Sequence, residues 1–123
     1  MTPDDPCVDE GQRRPLLDIC QAMVRLYKEN LGRGPTKARA EFAGRDILVV
    51  WLEGSLTVAE RKLAAMGEHA RLREARLFGQ YALEAESRAA VERVLERRTT
   101  SFISGIDTSR DVSVALFGLE PQR

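Results

Sequence analysis

A ten-residue stretch, L-G-R-G-P-T-K-A-R-A from Leu31 to Ala40, combines glycines, a threonine and a lysine, the residue types that cradle phosphate groups. A phosphate-binding loop of the Walker type follows a strand and opens a helix, so that backbone N–H groups face the anion. Here the apolar pattern indicates the order helix, loop, strand, and the G-K-[ST] signature is missing. The stretch therefore favours a structural junction, with Gly32 as a helix cap and Gly34-Pro35 as a turn.

The strongest polar cluster lies between residues 25 and 45, where six basic side chains accompany two acidic ones. Lys37 and Arg39 share one face of a predicted strand; Thr36 begins that strand, and Arg33 precedes it in the loop. These four residues form a candidate site for a phosphate, a nucleotide or an acidic partner surface. The alternative is a solvated edge strand, whose positive charges discourage edge-to-edge pairing.

The other side chains that could do chemistry are isolated along the chain. His69 is the only histidine, and as a general base it would need an oriented nucleophile, for which Ser55 and Ser104 are the candidates. Asp107 and Asp111 bracket a turn without the further oxygen ligands of a calcium loop. The sequence predicts no catalytic residue, no metal site and no cofactor, and therefore a protein that is not an enzyme.

The first helix and two strands are indicated by a change in apolar period. Apolar residues recur at helical spacing over residues 15–31, with Cys20 on the apolar stripe. Residues 36–43 alternate with period two, which predicts a strand with one buried face. Residues 46–53 form a nearly continuous apolar run, which predicts a second strand that is central in the sheet or covered on both faces.

Two helices are predicted next. Thr57 and Glu60 form a T-x-x-E capping box, which begins a helix that ends near Gly67. Residues 68–97 read as one long helix of roughly 45 Å, longer than ordinary strands can cover, and the overhang favours packing against a second copy of the chain. A break near Gly79 is the alternative. The predicted apolar stripe of this helix is Leu72, Ala75, Phe78, Ala82, Ala85 and Ala89.

The chain ends in a predicted hairpin, with strands at residues 99–106 and 112–119 joined by a polar turn. The order α-β-β-α-α-β-β predicts an α+β fold with a mostly antiparallel four-stranded sheet and helices on one face. Residues 15–121 are expected to form a single domain. Residues 1–14 are rich in acids, Pro and Gly, which predicts a flexible tail and no signal peptide.

The composition is that of a soluble globular protein. The chain has 123 residues, of which 43% are hydrophobic and 31% charged, and its net charge is zero. This balance gives no global attraction to nucleic acid or to an anionic membrane. No apolar run approaches the roughly 20 residues of a spanning helix, so no direct membrane insertion is expected. Two cysteines, Cys7 and Cys20, do not make a disulfide framework, which favours a cytoplasmic location.

Three segments resemble a bacterial family. They are L-Y-K-E-N-L-G-R-G-P-T-K-A-R-A (Leu26–Ala40), L-E-G-S-L-T-V-A-E-R (Leu52–Arg61) and A-L-F-G-L-E-P (Ala115–Pro121). The family is called MpsC-like and consists of small domains of uncharacterised biochemistry, and its name refers to a sodium-translocating, membrane-potential-generating system. The resemblance extends over roughly residues 16 to 121. It implies a soluble component associated with transport or membrane energetics, and it supplies no established catalytic residue.

These observations favour a non-catalytic cytoplasmic interaction or regulatory module, expected to be a homodimer. By the resemblance, it would be an accessory to a membrane ion-transport or membrane-potential system, with a membrane-protein or regulatory partner. The alternative is a small-ligand sensor that binds an anion or nucleotide at Arg33, Lys37 and Arg39. A third hypothesis, an enzyme that uses His69 with a serine or a carboxylate, requires those groups to meet in one cleft.

Overall fold

A computed structural model describes residues 10–122, with the backbone alone for residues 10 and 12. In chain order the elements are α1 (Glu10–Leu31), β1 (Lys37–Phe42), β2 (Ile47–Glu53), α2 (Val58–Ala65), α3 (His69–Ala82), α4 (Glu84–Leu95), β3 (Thr99–Asp107) and β4 (Val112–Leu119). The strands form one antiparallel sheet in the order β1-β2-β4-β3. The predicted α+β fold with an antiparallel four-stranded sheet is therefore confirmed.

The helices cover one face of this sheet. Helix α1 packs on β1 and on α4, whereas α3 and α4 pack on β3. Because successive side chains of a strand point to opposite faces, alternate residues of the central strands are buried beneath the helices. The buried residues of these two strands are Leu48, Val50 and Leu52 of β2, and Ser113, Ala115, Phe117 and Leu119 of β4. Those of α1 are Leu16, Ile19, Met23 and Tyr27.

Helix α1 begins earlier than its apolar pattern predicts. Residues 10–14 are helical, and Pro15 lies inside the helix rather than in its first turn. The predicted flexible tail, residues 1–14, therefore overlaps the helix by five residues, and its remaining part, residues 1–9, lies outside the described residues. Polar residues at this end of the helix carry no apolar period, which is why the pattern placed the start at Pro15.

The prediction of one long helix over residues 68–97 is wrong. Leu83 separates α3 from α4, with φ −94° and ψ 8°, and its N–H donates to the carbonyl of Gln80 at 3.1 Å. Leu83 is buried, and the helices on either side of it both pack on β3. The alternative, a break near Gly79, lies closer to the structure, since Leu83 follows Gly79 by one helical turn. Gly79 itself permits close packing against α1, because a Cβ atom there would lie 2.8 Å from the Leu31 side chain. Without a continuous 45 Å helix, the argument from an overhang to a second copy fails.

The predicted apolar stripe of this segment is also wrong except at Leu72. Phe78 is 72% exposed, and the four alanines of the stripe are exposed as well. The face that packs inward instead carries polar residues among apolar ones. Its buried members are Leu72, Arg76, Gln80, Leu83, Ser87, Ala90 and Val91.

Candidate functional site

The two glycine-containing motifs of the sequence meet at one junction. Thr36, at the start of β1, donates two hydrogen bonds to the carbonyl of Glu53, from its backbone N–H at 2.8 Å and from Oγ1 at 3.2 Å. Gly54 follows with φ +76°, and a Cβ atom there would overlap the Thr36 side chain. With Thr36 in this position, only glycine fits at residue 54. This stretch is a structural junction, as the order of elements predicted.

A carboxylate from the β3–β4 turn holds the loop that follows. Asp111 Oδ1 accepts hydrogen bonds from the backbone N–H groups of Ser55 at 2.9 Å and Leu56 at 3.0 Å. The loop then enters α2 through the predicted capping box: Thr57 Oγ1 accepts from the Glu60 N–H, and Glu60 Oε1 accepts from the Thr57 N–H. The Asp111 carboxylate therefore has a structural role, since it holds the backbone of this loop.

Arg76 of α3 lies at the centre of a buried polar network. Its side chain is 2% exposed, and it donates to the Ser55 carbonyl at 3.1 Å, to Ser55 Oγ at 2.8 Å and to Glu60 Oε1 at 3.0 Å. The guanidinium also lies over the ring of Tyr27, 5.7 Å from its centre. Of the buried side-chain nitrogens and oxygens that the structure describes, only Arg76 Nε has no hydrogen-bond partner. The network joins α1, α2 and α3.

The residues considered for catalysis have different hydrogen-bond partners. His69 Nδ1 lies 2.6 Å from the hydroxyl of Thr108. Ser55 Oγ accepts from Arg76, and Ser104 Oγ accepts from Gln80 Nε2 at 2.6 Å and donates to the Val114 carbonyl at 3.2 Å. No described hydrogen bond joins His69 to either serine. His69 is instead bonded to Thr108, and the two serines to Arg76 and Gln80.

Tyr27 offers a test of how strongly this network is shielded from water. Burial raises the pKa of Tyr27 from its ordinary value of 10.0 to about 12, against the effects of the Arg76 charge and of a hydrogen bond with Ser104. Tyr27 ionises at lower pH in the unfolded chain than in the folded one. The stability that neutral Tyr27 contributes to the fold is therefore fully present below pH 10 and is lost as pH rises through 12. We expect this loss to be roughly 2–3 kcal/mol smaller in Tyr27→Phe, measured by urea unfolding at a series of pH values. If the wild type and Tyr27→Phe lost the same stability over this pH range, the raised pKa of Tyr27 would be contradicted.

The outer edge of β3 is occupied by side chains of α3 and α4. The Tyr81 hydroxyl accepts a hydrogen bond from the Ser104 N–H at 3.0 Å and donates to the Ser104 carbonyl at 3.4 Å. Arg88 donates to the Thr99 carbonyl at 2.9 Å, and Glu92 accepts from the Thr99 N–H at 2.8 Å. The hydroxyl and N–H of Thr99 hold the pKa of Glu92 below its ordinary value. These contacts block pairing of another strand along this edge.

The other sheet edge, β1, packs against α1. Burial raises the pKa of the Cys20 thiol, and the backbone of Ala40 partly opposes this rise. The exposed side chains of β1 are charged, and charged side chains are a common protection of edge strands. The part of this sheet that remains available to a partner is therefore its uncovered face.

The face of the sheet opposite the helices, here called the open face, is arranged in four rows across the strands. From the pairing register, the rows are Lys37–Glu53–Val112–Asp107, Arg39–Trp51–Val114–Gly105, Glu41–Val49–Leu116–Ile103 and Ile47–Gly118–Ser101. Ile47, Trp51 and Ile103 are 45%, 43% and 55% exposed. The centre of the open face is thus apolar, and its charges lie mainly along β1.

The basic residues predicted as a site contribute to one side of the open face. Thr36, Lys37 and Arg39 line a shallow depression of about 440 Å³ together with Trp51 and Glu53. Arg33 is not among its lining residues. Two acids accompany the bases, since Glu53 pairs with Lys37 across the strands and Glu41 Oε1 lies 4.0 Å from Arg39 Nε.

The apolar residues of the open face were not predicted as a site. Their signal was the nearly continuous apolar run of residues 46–53, which predicted a central strand or cover on both faces. The structure shows β2 in the centre of the sheet, with Val49 and Trp51 on the face that no helix of the described chain covers. The contributions of β3 and β4 depend on strand order, which the sequence does not reveal.

Within residues 10–122, no helix is long and apolar enough to cross a membrane. Over the same residues, no group of three or more His, Cys, Asp or Glu side chains could hold a metal ion.

Comparison with known proteins identifies one family. No curated protein and no solved structure matches the chain. A family described as "Na+-translocating membrane potential-generating system (MpsC)" matches over residues 16–121. That range includes every strand and both motif-bearing junctions. The chain belongs to the MpsC family.

Proposed function

We propose that this protein is a non-catalytic, cytoplasmic interaction or regulatory module that binds protein through the open face and serves a Na+-translocating, membrane-potential-generating system as an accessory. The observation that carries this proposal is the apolar centre of the open face, which no part of the described chain covers. The link to membrane potential comes from the name of the family.

The size and composition of the open face support binding to protein. Four strands about 4.8 Å apart and seven residues long give a face of roughly 19 by 23 Å. Apolar patches of a few hundred square ångströms on a monomer are often interaction sites. Trp51 lies beside Arg39 in the second row, and Trp and Arg are both enriched at the energetic centres of interfaces.

The internal bonding of the polar residues supports a non-catalytic role. The hydroxyls of Ser55 and Ser104 and the carboxylate of Asp111 are engaged in hydrogen bonds that hold loops and strands. A nucleophile or base needs a reacting group within hydrogen-bond reach. These groups instead form hydrogen bonds with neighbouring elements of the fold.

The alternative of an anion or nucleotide sensor at Arg33, Lys37 and Arg39 is the weaker hypothesis. Glu41 and Glu53 lie beside the two strand bases, so the local charge is balanced rather than positive. An anion site gains most from uncompensated, convergent donors. The same mixture of signs suits a protein surface that carries both charges.

The proposal predicts that Trp51→Glu removes function without unfolding the chain. In the native host, we expect deletion of the gene to lower the sodium-dependent membrane potential, reported by a potential-sensitive dye, and Trp51→Glu to fail to restore it. Burying an unpaired carboxylate in an apolar interface costs several kcal/mol, enough to prevent binding. Circular dichroism should show a native fold, because Trp51 is already partly exposed.

The matched control is Phe78→Glu, which places the same charge on an exposed aromatic position of α3, away from the open face. It should restore the potential as well as the wild type does. Full function of Trp51→Glu would contradict binding through the open face. An unchanged potential after deletion would contradict the accessory role.

A further inference from the structure

We infer that the occupant of the open face is a second copy of this chain, packed face to face about a two-fold axis that crosses the strands. This inference rests on the proposed function, because it names the partner of the same face. The axis would lie between the second row, Arg39–Trp51–Val114–Gly105, and the third row, Glu41–Val49–Leu116–Ile103. Each strand then lies over its own equivalent, running in the opposite direction.

Charge complementarity supports this arrangement. A two-fold axis between the second and third rows brings Arg39 opposite Glu41 of the second copy, and Glu41 opposite its Arg39. Within one chain these side chains are 4.0 Å apart at their nearest charged atoms and are 73% and 61% exposed, so their charges are largely free to pair elsewhere. One strand thus supplies two opposite-charge contacts across the axis.

Side-chain size is complementary in the same register. Facing sheets lie about 10 Å apart, and their inner side chains interdigitate. The axis sets Ile103, which is 55% exposed, over Gly105 of the other copy, where no side chain projects. It also sets Trp51 over Val49, and Val114 over Leu116. The largest side chains of the two rows, Trp51 and Ile103, therefore each meet a smaller residue.

The edges of the sheet favour a face-to-face dimer over a continuous sheet. Extension across β3 would displace the Tyr81 hydroxyl from the Ser104 backbone and Arg88 and Glu92 from Thr99. Extension across β1 would bring another strand beside its exposed charged side chains, which discourage such pairing. Face-to-face packing keeps all of these contacts, and it covers the apolar centre that edge pairing would leave in water.

The test is a charge exchange between Arg39 and Glu41, followed by sedimentation over a dilution series. Arg39→Glu and Glu41→Arg each replace two attractive contacts by two repulsive ones, and we expect each to weaken the dimer at least about tenfold. The double variant Arg39→Glu/Glu41→Arg restores opposite charges and should dimerise within about threefold of the wild type. Mixing the two single variants should likewise restore dimers, because each supplies the charges that the other lacks.

Arg73→Glu is the matched control, since it reverses an exposed charge on α3 and should leave dimerisation unchanged. Circular dichroism of each variant establishes that the exposed substitutions leave the fold intact. A wild type that stays monomeric at its highest soluble concentration would overturn the inference. So would a double variant, or a mixture of single variants, that remains as weak as the singles.

The outcomes also separate this inference from the proposed function. A monomeric wild type, together with loss of membrane potential in Trp51→Glu, would remove the second copy but leave the open face as the binding site of another protein. A dimer whose disruption by Arg39→Glu has no effect on the membrane potential would support the inference and contradict the proposed function.

Discussion

Replacing Arg76 with alanine is expected to lower the free energy of unfolding by about 3–4 kcal/mol, measured by urea denaturation. Arg76 is buried and donates hydrogen bonds to Ser55 and Glu60. The substitution leaves the Ser55 carbonyl without this donor and a carboxylate without its cation, and it opens space beneath α3. Helix α2 has no fully buried residue of its own, so its attachment depends on this link.

A matched control separates this effect from helix propensity. Arg73→Ala makes the same substitution on the exposed side of α3 and should change stability by less than about 0.5 kcal/mol. Arg76→Lys keeps the charge but has fewer donors in a different geometry, and it should recover only part of the loss. A cost for Arg76→Ala no larger than that of Arg73→Ala would show that the network contributes little to folding.

Replacing Gly54 with alanine is expected to lower the free energy of unfolding by about 2–4 kcal/mol. The residue has φ +76°, a conformation that strains any L side chain, and a Cβ atom would also overlap Thr36. Thermal or urea unfolding measures the loss. Because Thr36 and Asp111 hold the backbone on either side of this position, the strain cannot be relieved by a local shift without breaking their hydrogen bonds.

Gly44→Ala is the control for backbone strain alone. Gly44 has φ +79°, and no atom lies within 4 Å of a Cβ placed there, so its cost should be about 1 kcal/mol. The double variant Gly54→Ala/Thr36→Ala removes part of the overlap and should recover part of the loss, which a double-mutant cycle measures. Equal costs at positions 54 and 44 would contradict the close approach of Thr36.

The parts of the fold that the sequence predicts well are those set by local signals. The capping box at Thr57 and Glu60 lies within four residues, and the alternation of β1 lies within six. The break at Leu83 has no such signal, since no proline or glycine occupies that position. It follows from how α3 and α4 pack on the sheet, which is a property of the assembled chain.

The inward face of α3 was missed for a related reason. Arg76 and Gln80 read as solvent-facing residues in the sequence, whereas the alanines and Phe78 read as core. Arg76 can be buried only because Ser55 and Glu60 approach it, and Gln80 only because Ser104 and other strand residues do. These partners lie 16 to 33 residues away in the chain. An apolar pattern cannot show such partners.

The candidate site was predicted in part. The sequence correctly predicted that Lys37 and Arg39 lie on the same exposed face of β1. It did not predict which residues of the neighbouring strands lie beside them. Their neighbours Trp51 and Glu53 come from β2, and the rest of the open face comes from β4 and β3. Strand order and register decide which charges are balanced, and this balance is the reason that we propose a protein-binding face rather than an anion site.

The motifs that carry the family resemblance are explained mainly by folding. In L-x-G-x-L-T-x-A-E, Gly54 allows the approach of Thr36, Leu56 is buried, and Thr57 and Glu60 cap α2. In G-R-G-P-T-K-A-R-A, the glycines and Thr36 turn the chain from α1 into β1. Similarity in these segments therefore reports a shared fold, and functional differences between members of the family are expected on the open face.

The most direct test of the central claim is the fluorescence emission of Trp51, the only tryptophan of the chain. Its position on the open face makes the indole a reporter of whether protein covers that face. We expect the emission to shift to shorter wavelength as the purified protein is concentrated or mixed with solubilised membranes of its host, and Arg73→Glu to behave identically. Emission that stays at the wavelength of a water-exposed indole under both conditions would contradict an open face that binds protein.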